Sequence, residues 1–144
     1  MNEDERKYID IVQSTISRMA SNSFQLKGWS VGLGSVIISL AAKDSRADLA
    51  WLALIPIVAF WLLDAYYLAL ERLYRDRYVA AVPTLRAAGT QAATLYDMNV
   101  GAVSARSWLK AAFSRSVLPL HGALAVVAMA VMVWGLEGHI PQTP

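Results

Sequence analysis

The sequence predicts an all-α polytopic membrane protein, and its composition, its apolar blocks and its basic residues support that fold class. Of the 144 residues, 56% are hydrophobic and 17% are charged, whereas a soluble domain carries roughly 25% charged residues. The excess of apolar residues is concentrated in three blocks, 24–42, 49–70 and 117–136. Each block has about 20 residues, enough for an α-helix to cross a hydrocarbon core of roughly 30 Å. This distribution argues against a soluble globular domain.

The first two blocks predict a transmembrane hairpin over residues 24–70. Only the segment KDSRAD at 43–48 separates them, and so short a connection places two helices side by side and antiparallel. The block at 117–136 predicts a third transmembrane helix, and residues 137–144 form a tail. The start MNEDERKYID is acidic and mixed rather than basic and then apolar, so we expect no cleaved signal peptide.

The basic residues predict the orientation of these spans. Eleven of the 13 lysines and arginines lie before residue 28 or within residues 71–116. The 43–48 loop balances its basic residues with acidic ones, and the tail has no basic residue. By the positive-inside rule, the N-terminus and residues 71–116 lie in the cytoplasm and the C-terminus lies in the periplasm. We expect the bacterial inner membrane, because outer-membrane proteins are β-barrels with alternating strands.

Helices are also predicted outside the spans. Residues 1–23 form an N-terminal amphipathic helix, in which apolar side chains recur at helical spacing: Tyr8, Val12, Ile16 and Met19. The second helix is expected to continue until Pro83, and residues 83–103 form a loop with one short helical piece around QAATLYDM. Residues 104–116 combine apolar and basic side chains in the pattern of a helix that lies in a bilayer interface. Residues 71–116 therefore form a basic cytoplasmic helical segment.

One face of the first span carries almost no side-chain bulk. Small residues fall on it at successive turns: Gly28, Gly32, Ser35 and Ser39. Residues of this size allow lipid-embedded helices to approach closely. This small-residue stripe can seat the second span of the same chain, contact another copy of the chain in an oligomer, or line a water-filled pore. Spacing alone leaves these alternatives open.

Lys27 and Asp64 are charged residues inside the predicted hairpin. Lys27 precedes the centre of the 43–48 loop by as many positions as Asp64 follows it. Because the two residues are equally far from the loop along their helices, we expect them at the same depth near the cytoplasmic boundary. There an ion pair would offset the cost of removing both charges from water. The alternative is that each side chain extends separately to headgroup water. Asp64 is also a candidate for a pore-facing residue, because an acid inside a span contacts a partner or water.

The sequence carries no signature of an enzyme, a metal site or a cofactor site. It has no cysteine and two histidines, too few ligands for a common zinc site. Phosphate-binding loops, nucleophile elbows and zinc-protease motifs are missing. Arg115 and His121 form an R-x5-H string similar to that of HEPN-type ribonucleases. An interfacial arginine and a helix-packing histidine fit the apolar setting better, so we expect no enzymatic activity.

The basic segment 71–116 has two candidate partners, nucleic acid and anionic lipid. Its arginines are interleaved with leucines and tyrosines at helical spacing rather than grouped in a run. This pattern favours a membrane surface, where juxtamembrane lysines and arginines gain about 1 kcal/mol each. We expect the lipid bilayer as a partner and no specific nucleic acid.

A family resemblance rests on two stretches, ISRMASNSFQLKGW at 16–29 and FWLLDAYYLALERLYRDRYVAAV at 60–82. Both resemble the RipA-like family of small octameric bacterial inner-membrane proteins. The architecture is similar, more distantly, to the SLATT transmembrane effectors of antiphage systems and to membrane accessory proteins of RNA-targeting CRISPR systems. The resemblance implies a ring-shaped homo-oligomer, an octamer in the RipA-like family, and membrane permeabilisation in the effectors. The third hydrophobic block is a departure from SLATT proteins.

The positions that match the RipA-like pattern lie at the start of the first span and at the end of the second. In the first stretch they are Asn22, Lys27, Gly28 and Trp29. In the second they are Asp64 and Tyr66, followed by the cytoplasmic exit helix residues Tyr67, Glu71, Arg72 and Arg75. They form no catalytic set, so the resemblance implies an oligomeric membrane boundary rather than an active site.

Two functions follow from these expectations. The first is a ring-forming pore or membrane-perturbing component of a stress or antiphage response. The alternative is a non-conducting scaffold or adaptor that recruits a cytoplasmic protein partner through residues 71–116. A pore requires a continuous lining of polar or small residues, whereas a scaffold requires a closed or lipid-filled centre.

Overall fold

A computed structural model of the chain describes residues 3–44, 46–87 and 99–137. Its elements are four helices, and no strand occurs among the described residues. In chain order they are α1 (Glu3–Lys43), α2 (Ala47–Ala87), α3 (Ala105–Ala112) and α4 (Leu118–Glu137). The all-α prediction is confirmed.

α1 is one uninterrupted helix of 41 residues that contains both the amphipathic segment and the first apolar block. No proline occurs before Pro56, so nothing in the sequence breaks the helix between these two segments. At 1.5 Å per residue, α1 is about 60 Å long, roughly twice the thickness of a hydrocarbon core. Any membrane can therefore hold only about half of it.

A tight turn joins α1 to α2. The backbone N–H of Asp44 donates to Leu40 O at 3.2 Å, and that of Arg46 donates to Ala41 O at 3.0 Å, so the turn satisfies two of the last carbonyls of α1. α2 also has 41 residues and ends at Ala87, beyond Pro83, where the sequence predicted its end. Proline removes one backbone donor, but the helix continues for one more turn. The predicted helical piece around QAATLYDM lies outside the described residues.

The two long helices pack against each other from the turn to the far end. Near the turn, Ile38 of α1 packs with Ala53 and Ile57 of α2. Near the far end, Tyr8 and Val12 pack against Tyr78, and Gln13 Nε2 donates to the Tyr78 hydroxyl at 3.2 Å. The apolar side chains of the N-terminal segment therefore pack against α2.

α4 contacts both α1 and α2. Its residue Ala128 joins the core cluster of Ile38, Ala53 and Ile57, with Leu124 and Val131 beside it. Pro119 lies in the first turn of α4, where a missing backbone N–H is tolerated. The three apolar blocks thus form a three-helix layer whose centre combines isoleucines with alanines.

α3 is fixed to α2 by small residues and two indoles. Ala111 and Ala112 are buried against Ala65 and Ala69. The indole of Trp61 donates to Ala112 O at 3.0 Å, and that of Trp108 donates to Leu62 O at 3.1 Å. At the start of α3, the Ser104 hydroxyl accepts the backbone N–H of Ser107 at 3.2 Å and caps the helix. The predicted helix is present, and it is shorter than residues 104–116.

Two helical segments of the described chain, Ala47–Ala80 and Leu118–Glu137, are long and apolar enough to cross a membrane. Only 28% and 17% of their most apolar windows are buried, whereas a core helix of a soluble protein is mostly buried. Large side chains such as Trp51 (62% exposed) and Trp134 (61% exposed) point outward. The first block, 24–42, is not among these segments, because Lys27 and its glycines and serines lower its mean hydropathy.

Candidate functional site

Five side chains from three helices form a buried polar cluster around Asp64: Ser23, Lys27 and Ser30 of α1, Asp64 of α2 and His121 of α4. The residues Asp64, Ser30 and His121 have no exposed surface. A charge in such surroundings is costly unless it is paired and hydrogen-bonded. α1 and α4 supply the hydrogen-bonding partners of the Asp64 carboxylate on α2.

Lys27 and Asp64 are in direct contact. The Lys27 ammonium lies 2.7 Å from Asp64 Oδ2 and donates to Oδ1 at 2.8 Å. It also donates to the hydroxyl of Ser23, one turn earlier on α1, at 2.9 Å, and that hydroxyl donates to Asp64. The Lys27 side chain is 18% exposed, whereas that of Asp64 is fully buried. The equal distances of Lys27 and Asp64 from the turn thus bring their side chains together. The two side chains do not extend separately to solvent.

His121 connects α4 to this pair. Its Nε2 lies 3.2 Å from Asp64 Oδ2 and its Nδ1 lies 3.1 Å from Ser30 Oγ. A neutral imidazole has one donor and one acceptor, and the tautomer that matches these two contacts carries its proton on Nε2, because the carboxylate can only accept whereas the Ser30 hydroxyl can donate to Nδ1. The indole of Trp61 stacks on the imidazole, with ring centroids 6.3 Å apart and planes 6° apart. His121 is therefore a polar link between three helices.

A packing role was predicted for His121, but Asp64 and Ser30 were not predicted as its partners. One signal was available, because His121 is the only histidine within the three apolar blocks and Asp64 the only acid. Ionisable residues inside spans pair with one another. Ser23 and Ser30 had no comparable signal, since serine is common in such helices and can bond to its own backbone.

The small-residue stripe faces away from α2 and α4. Gly28, Gly32, Ser35 and Ser39 are all exposed, and a Cβ atom added at Gly28 or Gly32 would meet no atom within 4 Å. The alternative in which the stripe seats the second span of the same chain is wrong. Gly34, which is not part of the stripe, is the glycine that packs against the second span, because a Cβ atom there would lie 3.3 Å from Ile57 Cγ1.

The residues that match the RipA-like pattern at the end of the second apolar block lie along α2 beyond the cluster. Glu71 is 8% exposed and pairs with Arg75 of the same helix, with Oε1 and Nη2 2.7 Å apart. Tyr67 and Arg72 are half-buried, and the rings of Tyr66 and Tyr67 meet edge to face at 5.9 Å. These contacts stabilise α2 locally and bring no reactive group into the cluster.

The Ser30 hydroxyl contacts the His121 imidazole, which in turn contacts the Asp64 carboxylate. These are the three groups of a hydrolase triad. Ser30 is completely buried, however, so its hydroxyl has no space for a substrate. Arg115 is exposed and His121 is buried between helices, out of reach of RNA. Among the described residues, no group of three or more His, Asp or Glu side chains could hold a metal ion. The arrangement is suited to fastening three helices together at one depth.

Comparisons of the chain with protein-family models, curated proteins and solved structures found no match.

Proposed function

We propose that this chain is a polytopic protein of the bacterial inner membrane whose copies assemble through the exposed face of α1. The observation that carries the proposal is the position of the small-residue stripe, which lies on the surface of the subunit. Gln25, also exposed, extends the same face by a further turn. Close approach between lipid-embedded helices uses surfaces of this kind.

The membrane placement is supported by the outer surfaces of the other two helices. The exposed side chains of α2 within its apolar block are large and apolar: Trp51, Leu52, Ile55, Val58, Leu62 and Leu63. Those of α4 are similar: Val126, Val127, Met129, Val133 and Trp134. An apolar surface this large on a monomer requires lipid or protein to cover it. Residues 24–42 of α1 cross beside them, and their one cation, Lys27, is neutralised by Asp64.

The orientation follows the basic residues. The N-terminal half of α1 and the part of α2 beyond residue 70 extend together into the cytoplasm, where they carry most of the lysines and arginines. The α1–α2 turn and the end of α4 then face the periplasm. Each copy presents its α1 face to a neighbour, and repetition of one such contact closes a ring when the rotation allows it. The RipA-like resemblance implies eight copies.

We further propose that this ring is a pore or membrane-perturbing component of a stress or antiphage response. Gln25, Ser35 and Ser39 supply polar groups along the α1 face that forms the proposed contact, so the edge of that contact nearest the ring axis would present polar side chains to the centre of the ring. Asp64 and Lys27 take no part in such a lining, because their charges are satisfied inside each subunit.

A non-conducting scaffold is the second candidate, and the same internal pairing favours it. Conducting ion pores commonly present charged rings or carbonyl groups, whereas the charges within these spans are enclosed by the subunit. In this case the ring would hold a cytoplasmic protein partner on residues 71–116. The two candidates share the assembly and differ in conduction.

The assembly is tested by the mass of the detergent-solubilised particle. We expect an oligomer for the unchanged chain and a smaller particle for Gly32→Leu, because bulk at this position separates neighbouring helices. Ala130→Leu is the matched control, since it places the same leucine side chain on the exposed surface of α4. A monomeric unchanged chain, or an equal effect of both variants, would contradict assembly through α1.

Conduction is tested with the same protein in liposomes that contain an ion-sensitive dye. Leakage that disappears with Gly32→Leu supports the pore. Sealed liposomes that contain intact oligomers refute the pore and favour the scaffold. The two candidates are thus separated without knowledge of the activating signal.

A further inference from the structure

We propose that α3 and the turn after it bind the phosphate headgroups of anionic phospholipids in the cytoplasmic leaflet. This inference rests on the proposed membrane placement. It adds the class of lipid that the protein binds at the cytoplasmic side of the membrane. The binding surface consists of the basic residues Arg106, Lys110 and Arg115 with the apolar residues Leu109 and Phe113. We call it the α3 surface.

All five side chains of the α3 surface are exposed. Leu109 is 52% exposed and Phe113 is 64% exposed, while Ala111 and Ala112 on the other side of the helix are buried against α2. Residues four positions apart share a helix face, so Arg106 with Lys110 forms a basic strip and Leu109 with Phe113 forms an apolar strip beside it. The two strips together match the headgroup and acyl regions of a lipid leaflet.

The charges of this surface are free to bind an external anion. No acidic residue occurs between residues 99 and 136. Within the described part of the chain, Arg106, Lys110 and Arg115 make no ion pair, unlike Arg75, which is held by Glu71. A phosphodiester provides the missing negative charge, and arginine can donate to it through two N–H groups.

The fold holds the α3 surface at a defined depth. The indole bonds of Trp61 and Trp108 place the end of α3 beside residues 61 and 62 of α2. Asp64 and Lys27 lie next to this level, and the proposed topology puts that pair near the cytoplasmic boundary. The basic strip therefore lies at headgroup height, and the apolar strip can enter the outer part of the acyl region.

The test measures lipid binding to the full chain in nanodiscs or mixed micelles. Phosphatidylglycerol should bind and raise the unfolding temperature, and phosphatidylcholine should do so much less. The variant R106Q/K110Q/R115Q should lose roughly a hundredfold in affinity for phosphatidylglycerol, since each of the three basic residues near an anionic surface contributes about fivefold. Its unfolding temperature in phosphatidylcholine should equal that of the unchanged chain, which verifies folding.

The matched control is R6Q/K7Q/R18Q, which removes the same number of charges from exposed positions of α1. It should retain phosphatidylglycerol binding. Equal loss in both variants would overturn the proposal, because it would show attraction by net charge alone. Equal stabilisation by inorganic phosphate would also overturn it, since the ligand would then be the free anion. Capture of an acidic protein without any lipid preference would have the same consequence.

A single change gives a second test with less risk to folding. Lys110→Glu reverses one charge at an exposed site and should reduce the preference for phosphatidylglycerol over phosphatidylcholine. An unchanged preference would contradict the proposal. Failure of the chain to insert into any bilayer would instead contradict the membrane placement, whereas insertion without lipid preference would contradict only this inference.

Discussion

Asp64 is the residue on which the interior of the subunit depends. Its carboxylate has polar contacts with α1 through Ser23 and Lys27 and with α4 through His121. A buried ion pair is seldom more stabilising than well-packed apolar residues of the same size. Its effect is to make one arrangement of the helices much better than the others, because any other arrangement leaves a buried charge without a partner. We infer that the cluster specifies the register of the three helices.

The first prediction concerns the Lys27–Asp64 pair. Asp64→Asn and Lys27→Met should each destabilise the subunit by about 3–5 kcal/mol, because each leaves an unpaired buried charge or polar group. The double variant should recover part of the loss, since its effects are coupled. Reversible unfolding in detergent measures this series. Small and strictly additive effects would show that the two groups do not depend on each other.

The second prediction concerns His121. His121→Leu removes the partner of the Ser30 hydroxyl and one partner of Asp64, so it should cost about 1–3 kcal/mol. His121→Gln keeps an amide that can donate to Asp64 and should cost less. The same unfolding experiment compares the two variants. Equal losses would indicate that packing against Trp61, rather than hydrogen bonding, determines the contribution of the imidazole.

At the scale of elements, α1 has two opposite surfaces with different surroundings. Gly34 permits close packing against Ile57 within the subunit, whereas Gly28 and Gly32 lie where nothing touches them. Both kinds of glycine belong to one apolar block and are separated by only a few residues. Their different surroundings should allow the stability of the fold and the proposed assembly to be changed independently.

The third prediction compares bulk at the two surfaces of α1. Gly34→Leu should overpack the contact with Ile57 and destabilise the subunit by about 1–3 kcal/mol. Gly32→Leu should leave the stability of the dissociated subunit unchanged and reduce the particle mass. Thermal unfolding in dissociating detergent and mass measurement in mild detergent separate these effects. Destabilisation of the dissociated subunit by Gly32→Leu would mean that this face is covered within the chain.

For the whole molecule, the length of α1 and α2 decides how the chain would divide between membrane and water in the proposed placement. Both helices are about 60 Å long, and their apolar blocks lie toward the α1–α2 turn. The far ends pack on each other through Tyr8, Val12 and Tyr78. The proposed subunit is therefore a membrane layer of three helices continued into the cytoplasm by a two-helix stalk.

The fourth prediction tests this topology with single cysteines, which is straightforward because the chain has none. Asp44 in the turn and Ser14 in the N-terminal half of α1 are both exposed. An impermeant thiol reagent should label Asp44→Cys in intact cells and Ser14→Cys only after lysis, since the proposed orientation, which follows the basic residues, places Ser14 in the cytoplasm. The opposite labelling pattern would show that the orientation is inverted.

Sequence information was sufficient for features that depend on local spacing. The helical character of the apolar blocks follows from their length, and the antiparallel arrangement of α1 and α2 follows from the short turn. The contact between Lys27 and Asp64 could be foreseen because equal distances from a turn give equal depth in a hairpin. The helix after residue 104 was foreseen from its pattern of apolar and basic side chains.

Only the tertiary structure decided which neighbour each helix face contacts. Spacing shows that Gly28 and Gly32 share a face, but the rotation of α1 about its own axis is set by packing against two other helices at once. The same packing turns Gly34 toward Ile57 and brings His121 to Asp64, across 57 positions of sequence. The partners of α4 therefore arise from the joint fit of all three helices.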